Sequence, residues 1–159
     1  MLYEDYDDVK ADLKNIARVL QKHQDYIENA KNILNIKVQK DKTVVYEESA
    51  KLPSYIFYFD ELKNHIKKIK NLVSYRLDEV YGRLYRLYKT NYDIQLTEGG
   101  IDKYIKNEKE YSSMRYLYLE IEELYDNYVS IAEALSRRGY CLNNMTKILT
   151  FNDTYADND

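Results

Sequence analysis

The spacing of apolar residues between positions 114 and 135 constrains the fold more than any other feature of the sequence. From Met114 onward these residues follow one another at alternating intervals of three and four. This is the a/d spacing of a helix whose hydrophobic face packs along another helix. It predicts a long amphipathic helix near the C terminus, with an apolar face made of Leu117, Ile121, Leu124, Tyr128, Ile131 and Leu135.

Composition extends this prediction to the whole chain. Only four glycines and one proline occur in 159 residues, and 32% of the residues are charged. Few helix breakers and many charges favour long helices over a compact mixed fold. The predicted fold class is therefore all-α, with elongated helices, coiled-coil-like packing and self-assembly through the C-terminal helices.

Two further helices are predicted upstream, over 4–35 and from Pro53 to about Lys89. The apolar face of the first includes His23, which we interpret as a polar position that sets the register rather than as a pH switch or ligand. The face of the second has Arg76 where a hydrophobic residue is expected. The remaining face positions are Leu2, Tyr6, Val9, Leu13, Ile16, Leu20, Ile27, Ala30 and Leu34 in the first helix, and Leu62, Ile66, Ile69, Val73, Val80, Leu84 and Leu87 in the second.

Helical periodicity lapses in the segments between these helices. Residues 36–52 are predicted to be a linker or an extended arm, with a possible short strand at Val44 and Val45. Residues 92–100 are predicted to be a loop that turns at Gly99 and Gly100, and the next helical pattern joins the last helix or breaks near 111–113. Gly139 is predicted to end the long helix, before a short amphipathic segment. The predicted divisions are thus an N-terminal helix over 1–35, a linker or extended arm over 36–52, a helical domain over 53–151 and a disordered acidic tail over 152–159.

The sequence contains no motif for catalysis, a cofactor or a metal. It has no glycine-rich phosphate loop and no Cys/His cluster with metal spacing, and neither His23 nor His65 has a nucleophile at motif spacing. The single Cys141 excludes an intramolecular disulfide and suits a reducing compartment. No apolar run approaches the about 18 residues that cross a bilayer. We therefore expect a non-enzymatic cytoplasmic protein.

Positive charge is concentrated in residues 60–90. This stretch holds eight basic and four acidic residues in a chain of net charge −3. Such a helix face is commonly only solvated, with lysine stems covering apolar surface. Alternatively, cations beside tyrosines form a phosphate-tracking surface for single-stranded nucleic acid. Under the second interpretation the phosphate contacts are Lys63, Lys67, Lys68, Lys70, Arg83, Arg86, Lys89 and Arg137, and the candidate stacking rings are Tyr85 and Tyr88.

Most of the 19 tyrosines are interpreted as packing residues. Arg138 is interpreted as a cap of the long helix, where the negative end of the helix dipole favours cations. The apolar positions around and beyond Gly139 exceed what one chain of this length needs for its own core. They are predicted to form an assembly surface made of Leu135, Tyr140, Leu142, Met145, Ile148 and Leu149.

Three segments in this order resemble the UvsY-type recombination mediators of T-even-like and related phages. Residues 48–53, Glu-Ser-Ala-Lys-Leu-Pro, resemble the family's Glu-Ser-x-Lys-Ile-Pro entry to its basic helix. Residues 83–91 resemble its basic, tyrosine-rich segment. Residues 134–145 resemble its Arg-Gly-aromatic-x-Ile-Lys-Asn-hydrophobic ending. The chain departs from the family pattern in four ways. Its first helix is longer, and Tyr81 and Gly82 stand in place of a lysine and a small residue. It lacks the tryptophan that some members carry before the paired tyrosines, and Asn143 stands where a lysine is common.

The resemblance implies a protein that binds single-stranded DNA as a closed homo-oligomer, a ring of roughly six or more subunits. It further implies that the protein helps to load a RecA-like phage recombinase onto DNA covered by single-strand-binding protein, in the cytoplasm of a bacterial host. The alternative is a helical coiled-coil adaptor or scaffold with no nucleic-acid role.

Overall fold

The computed structural model describes residues 16–34, 41–90 and 96–156, except for the side chains of residues 17 and 152–156. Every regular element in these ranges is an α-helix, so the predicted all-α class is confirmed for this part of the chain. Helix α1 spans Ile16–Leu34, α2 spans Lys42–Thr90, α3 spans Glu98–Asn107 and α4 spans Lys109–Ala156.

The helices form two compact units, each made of stretches that are distant in sequence. Among the described residues, the first unit contains Ile16, 65–90 and 96–125, and the second contains 17–34, 41–64 and 126–156. Helices α2 and α4 each contribute one part to each unit, because the division falls inside both of them.

The core of the first unit confirms the apolar spacing of α2 and α4 with two corrections. Leu77 is buried, whereas Arg76, which the spacing assigned to the same turn, is exposed, and Leu87 is 47% exposed. The step from Val73 to the next buried residue is therefore four, not three. Other buried positions are Ile66, Ile69, Val80 and Leu84 of α2, Ile101 and Ile105 of α3, and Ile121 and Leu124 of α4.

The core of the second unit is centred on a polar contact between α1 and α4. His23 is 1% exposed and its Nδ1 lies 2.8 Å from the hydroxyl oxygen of the fully buried Tyr128. Burial raises the pKa of Tyr128 well above its usual value, so the hydroxyl stays protonated. His23 is thus a polar core position, as its place in the apolar spacing predicted. The surrounding buried residues are Val19, Leu20, Ile27, Ala30, Val45, Phe59, Leu62, Ile131, Leu135 and Leu142.

The predicted linker before Pro53 is wrong for residues 42–52, which form the first turns of α2. The carboxylate of Asp41 accepts hydrogen bonds from the backbone N–H groups of Thr43 and Val44, at 2.8 and 3.4 Å, and so caps the helix start. Pro53 lies inside the helix rather than at its first position. Because proline lacks a backbone N–H, it removes one helical hydrogen bond. Burial of Val45 helps to hold the first turn of α2 in place.

The predicted turn at Gly99 and Gly100 is also wrong, because both glycines lie in the first turn of α3. The Thr97 hydroxyl accepts a hydrogen bond from the Gly100 N–H and caps this helix. Residues 92–95 of the predicted loop lie outside the described residues. Helix α3 ends at Asn107, and extended backbone at Glu108 separates it from α4, three residues before the predicted break.

The predicted break at Gly139 does not occur, since α4 continues to Ala156. No glycine in the described ranges has positive φ. A Cβ at position 139 would lie only 2.8 Å from a methyl carbon of Leu52, so the glycine permits α4 to approach α2 closely in the second unit. The helix also covers 152–156 of the predicted disordered tail; the remainder lies outside the described residues.

Arg138 forms a buried ion pair with α2 instead of capping a helix. Its guanidinium donates to Glu48 at 2.9 Å, and the two side chains are only 12% and 9% exposed. Lys51 approaches the same carboxylate at 3.4 Å. The next residue in α4 is Gly139, where α4 approaches α2 closely. The ion pair between Arg138 and Glu48 therefore lies beside this close approach and is largely removed from water.

Substitution of Arg138 by Met is expected to lower the free energy of unfolding by about 3 kcal/mol, because it leaves the Glu48 carboxylate buried without its closest cation. The matched control is Arg137→Met, whose ion pair with Glu133 is exposed and is expected to contribute less than about 1 kcal/mol. Chemical denaturation monitored by circular dichroism measures both. Equal losses in the two variants would contradict a structural role for the buried pair.

Candidate nucleic-acid interface

The positive charge of α2 is largely offset within the first unit. Residues 65–90 hold seven basic and two acidic residues, whereas residues 96–125 hold four basic and seven acidic ones. The net charge therefore falls from +5 for this part of α2 to +2 for the two stretches together. Where the acidic side chains lie decides which cations of α2 remain accessible to a ligand.

Lys70 is held by the protein itself. Its ammonium group lies 2.8 Å from the Glu122 carboxylate, and its side chain is 21% exposed. The same group lies 5.6 and 5.3 Å from the ring centroids of Tyr118 and Tyr125. The hydrogen bond from Lys70 is the main cause that lowers the pKa of Glu122 below its usual value. Lys70 therefore joins α2 to α4, and its charge is paired within the protein.

The two tyrosines predicted to stack on bases also make intramolecular contacts. The Tyr88 hydroxyl donates to the Glu108 carboxylate, and its ring stacks on Tyr104 with centroids 5.6 Å apart. Tyr85 stacks on Tyr81 at 6.3 Å. Both Tyr85 and Tyr88 pack against the buried cluster of α2 and α3. Packing thus accounts for their position.

Two of the predicted phosphate contacts stand out from the others. Lys67 and Arg86 are exposed on α2 and have no ion-pair partner within the described ranges. Lys68 is also exposed. In the first unit, the ammonium group of Lys89 lies 5.3 Å from the Tyr85 ring centroid and Arg83 pairs with Glu110. In the second unit, Lys63 pairs with Asp60, and Arg137 pairs with Glu133 at 3.1 Å.

Three arginines of α2 line one groove in the first unit, which we call the arginine groove. Arg76, Arg83 and Arg86 are spaced by seven and three residues, so they lie on neighbouring positions of one helix face. The groove has a volume of about 470 Å³, and its other lining residues are Glu79, Val80, Glu110 and Met114. For Arg76 the sequence leaves phosphate contact and a structural role on the apolar face equally open; the side chain is exposed and lines this groove.

The predicted assembly residues fall into three groups, which are buried, exposed and intermediate. Leu135 and Leu142 are buried in the core of the second unit, at 0% and 2% exposure. Tyr140 and Ile148 are 70% and 62% exposed, and Phe151, which the sequence analysis left out, is 62% exposed. Met145 and Leu149 are intermediate. The residues available to a partner are thus the outward ones on the last turns of α4.

Comparisons of the chain with protein-family models, with curated proteins and with solved structures find no match. None of the helices described above contains a stretch long and apolar enough to cross a membrane. In residues 16–34, 41–90 and 96–151, no three His, Cys, Asp or Glu side chains are grouped in a way that would hold a metal ion. The all-helical fold and the distribution of charge on α2 are therefore the observations that bear on function.

Separate substitutions of Lys67 and Lys70 by Ala are expected to have different effects. Loss of Lys67 should reduce the slope of log affinity against log salt for single-stranded DNA by about 0.7, the value for one phosphate contact. Loss of Lys70 should instead lower the denaturation midpoint, because its contacts with Glu122 and two tyrosine rings disappear. Anisotropy titrations over a salt series and denaturation curves measure the two effects. A salt slope that changes only in the Lys70 variant would contradict this assignment.

Proposed function

We propose that this protein binds single-stranded DNA as a homo-oligomer and acts as a recombination mediator. In this role it helps to load a RecA-like recombinase onto DNA covered by single-strand-binding protein. The motif segments 48–53, 83–91 and 134–145, which resemble UvsY-type mediators, support the proposal. The structural observation that carries DNA binding is the exposure of Lys67 and Arg86 on α2 without a carboxylate partner among the described residues.

A single protomer with so few accessible cations would bind DNA weakly. Each phosphate contact depends on counterion release and is weakened by salt. Repetition of the same contacts around an oligomer converts later contacts into intramolecular ones, which raises the overall affinity without any new type of contact. DNA binding by this protein is therefore expected to depend on its assembly.

Self-association is proposed to use the outward apolar residues of α4. Tyr140, Ile148 and Phe151 are exposed in the last turns of the helix. Removal of such exposed apolar side chains from water by a partner is favourable and stabilises the complex. The proposed partner is the same surface of further copies, arranged in a closed ring.

An adaptor or scaffold without a nucleic-acid role is the second candidate. The observation in its favour is the pairing of Lys70 with Glu122 and of Arg83 with Glu110, which neutralises two of the predicted phosphate contacts. In such a protein, the exposed residues of α4 would bind another protein, and the charge on α2 would serve helix packing.

A fluorescence anisotropy titration with a single-stranded oligothymidylate distinguishes the two candidates. A mediator is expected to bind at low salt, with log affinity falling by about 0.7 per phosphate contact for each unit of log salt. An adaptor is expected to show no binding. Absence of binding at about 20 mM salt, where phosphate contacts are strongest, would exclude the proposed function.

Assembly is tested with Tyr140→Glu combined with Ile148→Glu, since both changes introduce charge at exposed positions. The expected result is a smaller mass in light scattering and weaker DNA binding, although no cation has been removed. The matched control is Tyr116→Glu combined with Leu119→Glu, which are exposed at 70% and 44% on the same helix. Leu142 is unsuitable because charge there would enter the core of the chain itself. An unchanged mass in the first variant would reject this surface.

A further inference from the structure

The arginine groove contains both cations and carboxylates, and their balance suggests how it is regulated. The groove is lined by Arg76, Arg83 and Arg86 together with Glu79 and Glu110, so the lining has a net charge of +1. We propose that the groove binds a phosphate group and that the Glu110 carboxylate occupies the phosphate position on Arg83 until a ligand displaces it. In so far as the phosphate belongs to single-stranded DNA, this inference rests on the proposed function.

The chemistry of the lining residues fits a phosphate. A guanidinium group offers two parallel N–H donors, which match two oxygens of a phosphate or of a carboxylate. Arg83 and Arg86 are three residues apart, so their backbones are separated by about 4.5 Å along the helix axis. Val80 and Met114 add apolar surface to the same groove.

Glu110 has the properties of a displaceable group. Its carboxylate accepts a hydrogen bond from Arg83, and the two side chains are 53% and 56% exposed. Ion pairs at this exposure are weak because water and salt screen them. A phosphate also presents two oxygens to the guanidinium and carries at least the same charge, so it can replace the carboxylate. The pair between Arg76 and Glu79, at 3.6 Å, is equally exposed and does not close the groove.

The pair between Lys70 and Glu122 provides a contrast within the same unit. There the lysine side chain is 21% exposed, and two tyrosine rings surround its ammonium group. A ligand would have to remove these contacts before it reached the cation. Of the two ion pairs that join α2 and α4 in this unit, only the one at Glu110 is open enough for exchange with a ligand.

Neutralisation of Glu110 is the direct test of this proposal. Glu110→Gln keeps the size of the side chain and raises the net charge of the lining from +1 to +2. The matched control is Glu120→Gln, an exposed position on the same helix that makes the same change in total charge outside the groove. Two probes are titrated into the full-length proteins: single-stranded oligothymidylate by anisotropy, and inorganic tripolyphosphate by calorimetry.

Glu110→Gln is expected to bind both probes at least about threefold more tightly than Glu120→Gln, and its salt slope with oligothymidylate should be steeper by about 0.7. Adding Arg83→Gln to Glu110→Gln should abolish the gain. Glu110→Asp keeps a negative charge at the start of α4 but shortens its reach toward Arg83, and an intermediate gain is expected. This variant also serves if Glu110→Gln lowers the helix content seen by circular dichroism.

Equal affinities of Glu110→Gln and Glu120→Gln for tripolyphosphate would overturn the inference, whatever happens with DNA. If tripolyphosphate binds more tightly to Glu110→Gln but no variant binds oligothymidylate, the phosphate site stands and the proposed function fails. If the wild-type protein binds oligothymidylate and Glu110→Gln gains nothing over its control with either probe, DNA binding uses other residues and the groove inference fails.

Discussion

The pairing of charges between α2 and the helices that pack against it controls what the first unit can do. A basic helix that packs beside others brings its cations close to their side chains, and two acidic residues of α4 each pair with a cation of α2. Glu122 binds Lys70, and Glu110 binds Arg83. Charge that a linear count assigns to a ligand-binding surface is therefore partly used to join helices, and a ligand can reach a paired cation only where the pair is exposed.

The contribution of an ion pair to the stability of this chain depends on the exposure of the pair to water. Arg138 and Glu48 are 12% and 9% exposed, so their removal from water makes each dependent on the other. Arg83 and Glu110 are more than half exposed, so water competes with both throughout. The same two chemical groups thus hold helices together in one unit and form an exchangeable contact in the other. Burial, rather than the residue types, separates structure from a candidate function.

The sequence predicted the helical class and most core positions because apolar spacing depends only on neighbours in the same helix. It failed where a residue's role is set by another helix. Gly139 looked like a helix end, but it lies where a Cβ would meet Leu52. Pro53 looked like a helix start, although the Asp41 carboxylate caps the helix twelve residues earlier. For the candidate site, the sequence gives the cations of α2, but their carboxylate partners are 27 and 52 residues away and were not identifiable from local patterns.

Under the proposed function, partial neutralisation of α2 makes assembly more important for DNA binding, not less. If all its cations were accessible, a monomer would already attract a polyanion strongly, and repetition would add little. With few accessible cations per protomer, the affinity of one subunit is low and strongly reduced by salt. Avidity multiplies such weak contacts, so binding rises steeply with the number of linked copies. A mediator that must release DNA to a recombinase benefits from this arrangement, because each individual contact dissociates easily while the assembly remains bound.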